Sequence, residues 1–448
     1  MSRIRRGWNH RWVRSLLAVL LLVGIAVRIA HSDKRHHRLR KDFTTFTLAA
    51  SRVMFDGGNP YDRDLVKHNY KYFPTNAVLL YPFTKINVYA AQGVWYALNV
   101  GLLMLAFASM GRLLGRWRVP WWIYLLAIGG AARVVVSNLR LGQWNTSVFC
   151  LSIIGLALVH GRPRGELNDA EPRDSMPATA ARPWLGSALL GLAITLKFMP
   201  AIFLVYFALR RRWLDLGRTL LAVVIWIIVF PAICLGPSRT LHLLQEYREA
   251  STARMHKITR AQDTSSVSVH SVLYRALSPV PLESKGRYFY SNVADLNRRD
   301  ASRVAAVCSA VFLLGFFAWV WRMVERRRGT LHPLQQLVII GMFYVAWFIA
   351  MPGVRMAQLI SLLPALLGVL AVAWHTTDRT ARNWIIILFA AGVASHVASS
   401  EFVNETTYNL LWEASGAEAV MLLLLMAAGV LAFYAAGRLP DPPSLAGD

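Results

Sequence analysis

WLGSALLGLAITLKFMPAIFLVYFALRRR, residues 184–212, is an apolar run with a lysine and a proline near its middle and three arginines at its end. Read as one straight crossing, it would carry Arg210, Arg211 and Arg212 outside, and later Arg326, Arg327 and Arg328 as well. That opposes the tendency of Lys and Arg to stay on the cytoplasmic side. Read as two short helices meeting near Lys197, Phe198, Met199 and Pro200, both ends of the run face the cytoplasm. Each half is then about 12 residues, or about 18 Å, too short for a hydrocarbon core of about 30 Å. Broken helices persist at that depth only where protein or a water-filled cavity surrounds them. Lys197 is therefore expected to point into a polar cavity opening on the outer side.

The rest of the chain supplies a membrane around that break. Of 448 residues, 55% are hydrophobic and 16% charged, and the mean hydropathy is +0.39; these values fit an all-α, multi-span membrane protein. Further apolar runs lie near 15–30, 88–110, 120–136, 144–159, 219–235, 302–321, 337–351, 360–374, 384–399 and 417–436. With the broken pair counted as two, they predict about twelve spans in one domain over 1–448, both termini inside. The first run reads as an uncleaved span, because Arg28 interrupts it and no small-residue cleavage site follows. The outer face then carries 31–87, 137–143, 236–300, 351–356 and 400–413. The polar insert 161–183 and the tail 437–448 read as disordered cytoplasmic segments.

A net charge of +25 raises nucleic acid as a partner, but the cations sit in short clusters between apolar runs, as in loops facing an anionic leaflet. Nucleic-acid binding is excluded on that arrangement. Cys150, Cys234 and Cys308 fall in apolar runs without metal spacing, so neither a disulfide framework nor a zinc site is expected. No phosphate-binding glycine loop, H-E-x-x-H or nucleophile elbow occurs.

Outside the spans, the chief stretch is KDFTTFTLAASRVMFDGGNPYD, residues 41–62. Phe43, Phe46, Ala50, Val53 and Met54 recur at helical spacing, and Asp56, Gly57, Gly58, Asn59 and Pro60 close the segment with turn residues. This predicts a short amphipathic helix on the outer membrane surface with Asp42 at its entry. Two readings of Asp42 stand together: an N-cap carboxylate, and a base that takes a proton from an incoming hydroxyl. The cations before it, Lys34, Arg35, His36, His37, Arg38, Arg40 and Lys41, are a solvated face on anionic lipid or an attractor for a phosphate-bearing substrate. Asp62-Arg63-Asp64 is formally D-x-D and reads as a polar turn, with metal binding as the alternative. Tyr61 and Tyr72 are an interfacial belt or a sugar-stacking surface. Arg140, Gln143 and Asn145 flank the outer mouth of the fourth span, as helix-start hydrogen bonding or as sugar and phosphate contacts. Lys197 and Arg355, each beside a helix-breaking proline, are cations suited to a leaving phosphate.

These residues resemble a known group. Asp42-Phe43, the 56–61 turn, 70–74, Gly142-Gln143-x-Asn145 and Lys197-Phe198-x-Pro200 are similar to the membrane glycosyltransferases of the GT-C fold. Within them the chain resembles the bacterial GT87 (DUF2029) family of polyprenyl-phosphate-dependent mannosyl- and arabinofuranosyltransferases. The resemblance implies that Asp42, on the first outer loop, is the catalytic base. One departure stands out: the family's late outer Ser-Pro-x-x-W-x-H-type segment is Met351-Pro352-Gly353-Val354-Arg355-Met356-Ala357-Gln358 here. That leaves open a remodelled donor-phosphate contact through Arg355, or altered activity.

The expectation is an inverting transfer of a hexose or pentose from a polyprenyl-phosphate donor to a lipid-linked or envelope glycan acceptor. It would occur at the outer face of the plasma membrane, with no metal or cofactor. A transporter or flippase of lipid-linked sugars would use the same cavity and cations without a base.

Overall fold

The computed structural model describes residues 20, 23–24, 26–40, 42–62, 64–66, 70–115, 117, 119–160, 181–260, 266–280, 282–284, 287–289, 292–327, 331–398 and 416–439. The start of the first run, Arg63, the Phe46 side chain, most of the 161–183 insert, 400–413 and most of the tail lie outside the described residues. The described chain is helical apart from one short antiparallel hairpin, Leu282–Ser284 against Arg287–Phe289, within the long 236–300 segment.

Six described helices are long and apolar enough to cross a membrane: Val88–Leu114, Trp213–Leu235, Arg298–Arg326, Pro333–Ala350, Met356–His375 and Ala417–Ala436. The span expected over 120–136 is instead a pair, Trp121–Gly130 and Ala132–Leu141, bent by 69°. Gly129 and Gly130 precede the bend and give the helix little to hold it straight. Among the described residues six helices, or seven with the bent pair as one span, qualify by length and composition, and the shorter apolar helices Trp144–His160 and Met199–Leu209 stand beside them.

The 184–212 run breaks where its lysine and proline stand. Helix Ala181–Leu196 ends at Lys197, a 3-10 turn covers Met199–Ala201, and helix Ile202–Leu209 follows. The halves are unequal, 16 residues before the break and 8 after it. Their course is fixed by contacts with Trp144–His160. Lys197 Nζ donates to the Asn145 side chain at one end of that helix, whereas Arg212 Nη2 donates to the Val159 carbonyl at the other, at 3.1 Å. The run therefore travels up the Trp144–His160 helix and returns down it, and its two ends meet at the same end of the bundle. Close packing makes the ascent possible: a Cβ on Gly155 would lie 2.7 Å from the Gly186 carbonyl, and one on Gly186 2.6 Å from that of Gly155.

The two ends of the bundle differ in chemistry. At the Arg212 end, Arg211 pairs with Glu325, Arg212 pairs with Asp215 at 2.7 Å, and Trp117 packs between His332 and His375. At the Asn145 end, Val267 donates its amide to Val354 and the candidate site residues gather. Helix 26–35 runs past His31, where the outer segment was expected to begin, to Arg35. Residues Asp42–Phe55 form one helix, π-wound over Asp42–Leu48 and α over Ala49–Phe55. Instead of lying only on a membrane surface, it buries Phe43, Leu48, Ala50 and Met54. Its Ser51 hydroxyl donates to the Ala77 carbonyl of helix Pro74–Leu80 at 2.7 Å.

Candidate functional site

Two polar networks meet around Gly142. In the first, Asp33, Arg40 and Gln92 are all buried or nearly so, and Arg40 Nε donates to Asp33 Oδ2 at 2.9 Å. The Gln92 carboxamide is oriented by its partners: Oε1 accepts from the Arg40 amide at 2.8 Å, and Nε2 donates to Asp33 Oδ2 at 3.1 Å and to the Arg38 carbonyl at 3.2 Å. Arg40 Nη1 reaches the carbonyls of Leu139 and Arg140 at 2.6 and 3.0 Å. The chain entering Asp42 is thus bolted both to helix Val88–Leu114 and to the end of helix Ala132–Leu141.

The second network holds Lys197. An ammonium only donates, so Asn145 must present Oδ1 to it and turn Nδ2 the other way. Nδ2 donates to Gln143 Oε1 at 2.6 Å and to Asn138 Oδ1 at 3.0 Å. Asn138 Nδ2 in turn donates to the Val134 and Ala357 carbonyls at 2.8 and 2.7 Å. One directional chain therefore runs from Lys197 through two asparagines to Ala357, in the segment that carries Arg355. Arg355 itself is exposed at the start of the Met356–Leu362 turn.

Gly142 joins the networks. Its φ of +71° caps helix Ala132–Leu141 in the left-handed conformation, and its carbonyl accepts from Trp95 Nε1 at 3.1 Å. Phe43 Cβ lies only 2.9 Å from where a Gly142 Cβ would stand. Phe43 is fully buried, stacked on Trp95 at 5.2 Å and edge-on to Phe83 at 5.8 Å. Asp42, next to Phe43, is partly exposed, and among the described residues its carboxylate accepts no capping hydrogen bond and makes no ion pair.

The remaining candidates sit elsewhere. Arg140 contributes its carbonyl to the Arg40 clamp while its side chain is exposed. The Tyr61 hydroxyl donates to the Tyr72 carbonyl at 2.9 Å, and the Tyr61 ring packs against Tyr70 and Tyr247 beneath helix Pro237–Arg260. Burial pushes the Tyr61 and Tyr70 phenols well above their ordinary range, so both stay neutral. The Asp64 amide donates to Asp62 Oδ1 at 2.9 Å. Among the described residues no group of three His, Cys, Asp or Glu side chains could hold a metal. Asp33, Gln92 and Asn138 were missed by sequence reasoning. The signal for Gln92 and Asn138 was a carboxamide inside or at the edge of an apolar run.

The family model described as Glycosyltransferase family 87 matches residues 70–352. Asp33, Arg40 and Asp42 precede the matched segment. A polyprenol-phosphate-mannose-dependent alpha-(1-2)-phosphatidylinositol mannoside mannosyltransferase of Mycobacterium tuberculosis is 29% identical over 213 residues, 43% of this chain and 45% of the relative. The protein of the same description from Mycolicibacterium smegmatis is 29% identical over 195 residues, 39% of this chain and 40% of the relative. The chain thus spans less than half the length of the curated relatives it matches. No solved structure matches. With 70–352 of its 448 residues matched by the family's sequence pattern, the chain belongs to glycosyltransferase family 87.

Proposed function

We propose that this protein transfers one sugar from a polyprenyl-phosphate donor to a hydroxyl of a lipid-linked or envelope glycan, with inversion and with Asp42 as the base. The observation that supports the reading is a partly exposed carboxylate that no described residue caps, set at the same end of the bundle as an ammonium held by an amide chain. The acceptor oxygen attacks the anomeric carbon as its proton passes to Asp42. The bond from that carbon to the phosphate oxygen breaks, and its electron pair leaves with the phosphate. Lys197 faces the growing negative charge, with Arg355 at the mouth of the site. General-base catalysis accounts for roughly a hundred- to ten-thousandfold, or about 3 to 5.5 kcal/mol of barrier.

The mannose-dependent relatives support a mannosyl donor, and their phosphatidylinositol mannoside acceptor supports a glycolipid with a phosphodiester head. Clustering of arginines at the Arg212 end supports a cytoplasmic placement of that end and, with it, the reading of a site on the outer face of the plasma membrane. The test is transfer from radiolabelled polyprenyl-phosphate mannose into envelope lipids by purified wild type and Asp42→Asn. Asp42→Asn is expected to lose at least about a hundredfold in kcat. Equal transfer by both would remove Asp42 from the mechanism, and lipid movement across vesicles without transfer would favour a flippase.

A further inference from the structure

The helix that leads into the site has two unlike faces. One is packed: Ala26 and Ala30 sit against Gly93, with 2.2 Å between the Ala26 carbonyl and a Cβ built there, and Asp33 is buried under Gln92 and Arg40. The other forms an open groove of about 580 Å³ lined, among the described residues, by Gly24, Val27, Arg28, His31, Ser32, Arg35 and His36. Arg28, His31 and Arg35 follow at helical spacing along it, all exposed. No carboxylate among the described residues pairs with any of them.

The groove is graded along its length. At its lower end Gly24 leaves open space, with nothing within 4 Å of a Cβ built there, and Val27 is 63% exposed. Two arginines and two histidines line its upper part, toward Asp42. Cations here face the end of the bundle opposite the arginine-rich one, so the charge rule for loops does not account for them. Gly24 and Val27, below cations that no described carboxylate pairs, complement an acyl chain that ends in a phosphodiester.

We propose that this groove seats the acyl-phosphodiester part of the acceptor lipid, leaving its glycan to extend over the turn at 36–41 toward Asp42. The inference names the acceptor class of the transfer proposed above and rests on that reading only for its kinetic arm. The probes are phosphatidylinositol, phosphatidylcholine and polyprenyl phosphate, offered to the purified full chain in detergent and read by native mass spectrometry. Wild type is expected to retain phosphatidylinositol and not phosphatidylcholine. The double variant Arg28→Gln/Arg35→Gln should bind phosphatidylinositol about twenty-fivefold more weakly, about fivefold for each arginine lost. Arg52→Gln, an exposed arginine outside the groove, should bind as wild type.

In the kinetic arm the double variant raises KM for a phosphatidylinositol-anchored acceptor, with kcat and the KM for a water-soluble mannoside unchanged. Equal retention of phosphatidylinositol by wild type and double variant, equal retention of the neutral lipid by wild type, or displacement of phosphatidylinositol by polyprenyl phosphate would each overturn the assignment. Lack of transfer by wild type with the binding difference intact would sink the transferase reading and leave the lipid site standing.

Discussion

Gly142→Ala tests whether the joint between the two networks sets the position of Asp42, the proposed base. At φ +71° an alanine carries left-handed strain of about 1 to 2 kcal/mol. Its Cβ would stand 2.9 Å from Phe43 Cβ, against a carbon contact distance of about 3.5 to 4.0 Å. Phe43 must therefore move by roughly 0.6 to 1.1 Å. It has little room, being fully buried between Trp95 and Phe83, and overpacking of this kind costs about 1 to 3 kcal/mol. The two effects add to about 2 to 5 kcal/mol of lost stability.

The displacement passes directly to Asp42, the preceding residue. A misplacement of about 1 Å at a reacting group costs on the order of a hundredfold in rate. The assay is kcat and KM for polyprenyl-phosphate mannose beside a thermal unfolding curve, with Gly115→Ala as control. Gly115 has φ +62° and ψ −120° and nothing within 4 Å of an added Cβ, so its variant carries backbone strain of its own without the push. Gly142→Ala should lose about a hundredfold in kcat with KM nearly unchanged, and Gly115→Ala should lose stability alone. If Gly142→Ala turned over at the wild-type rate while Asp42→Asn was dead, contact between Phe43 and Gly142 would have no part in placing the base.

Three further outcomes follow from the same geometry. Asp33→Asn leaves the buried Arg40 guanidinium without its carboxylate and should destabilise the chain by about 3 to 5 kcal/mol, read as a fall in unfolding temperature. Gly341→Ala would put a Cβ 2.3 Å from the Ala365 nitrogen, forcing apart the two buried helices Pro333–Ala350 and Met356–His375. It should abolish the monodisperse peak in size exclusion, while Gly315→Ala, in open space, should elute as wild type. Burial lowers the His270 pKa below its ordinary 6.5, so the folded chain holds the ring neutral while the unfolded chain protonates it. Stability from this site is complete above about pH 6.5 and declines as pH falls below it; amide exchange over Val269–Leu277 should quicken there, and His270→Gln should remove that dependence.

Much of the fold was legible because a few residues leave no choice. Pro200 cannot donate an amide and Lys197 cannot rest in hydrocarbon, so the 184–212 run had to break, and its terminal arginines required a return. The inequality of the halves was not legible, since it depends on which turn of helix Trp144–His160 meets each end. The amphipathic spacing in 42–55 announced a helix, but its π winding involves Thr44 and Thr47 hydroxyls bonded back to the Arg40 and Phe43 carbonyls, a choice the spacing does not encode.

At the site, sequence could nominate Lys197 and Asn145 separately, each with a bland reading beside the functional one. What joins them is a contact across 52 residues, and Asn138 reaches Ala357 across 219. A carboxamide in an apolar run has too many ways to be satisfied for its partner to be guessed. Gln92 lies 52 residues from Arg40 and 59 from Asp33, yet its two ends fix both. Because an ammonium donates only and a carboxamide has one end of each kind, choosing Lys197 as the terminus settles the orientation of every amide down to Ala357. A methionine at 197 would therefore do more than delete a charge. It would free Asn145 to reverse, break the ordered chain toward the Arg355 segment, and loosen the site on the side proposed to face the leaving phosphate.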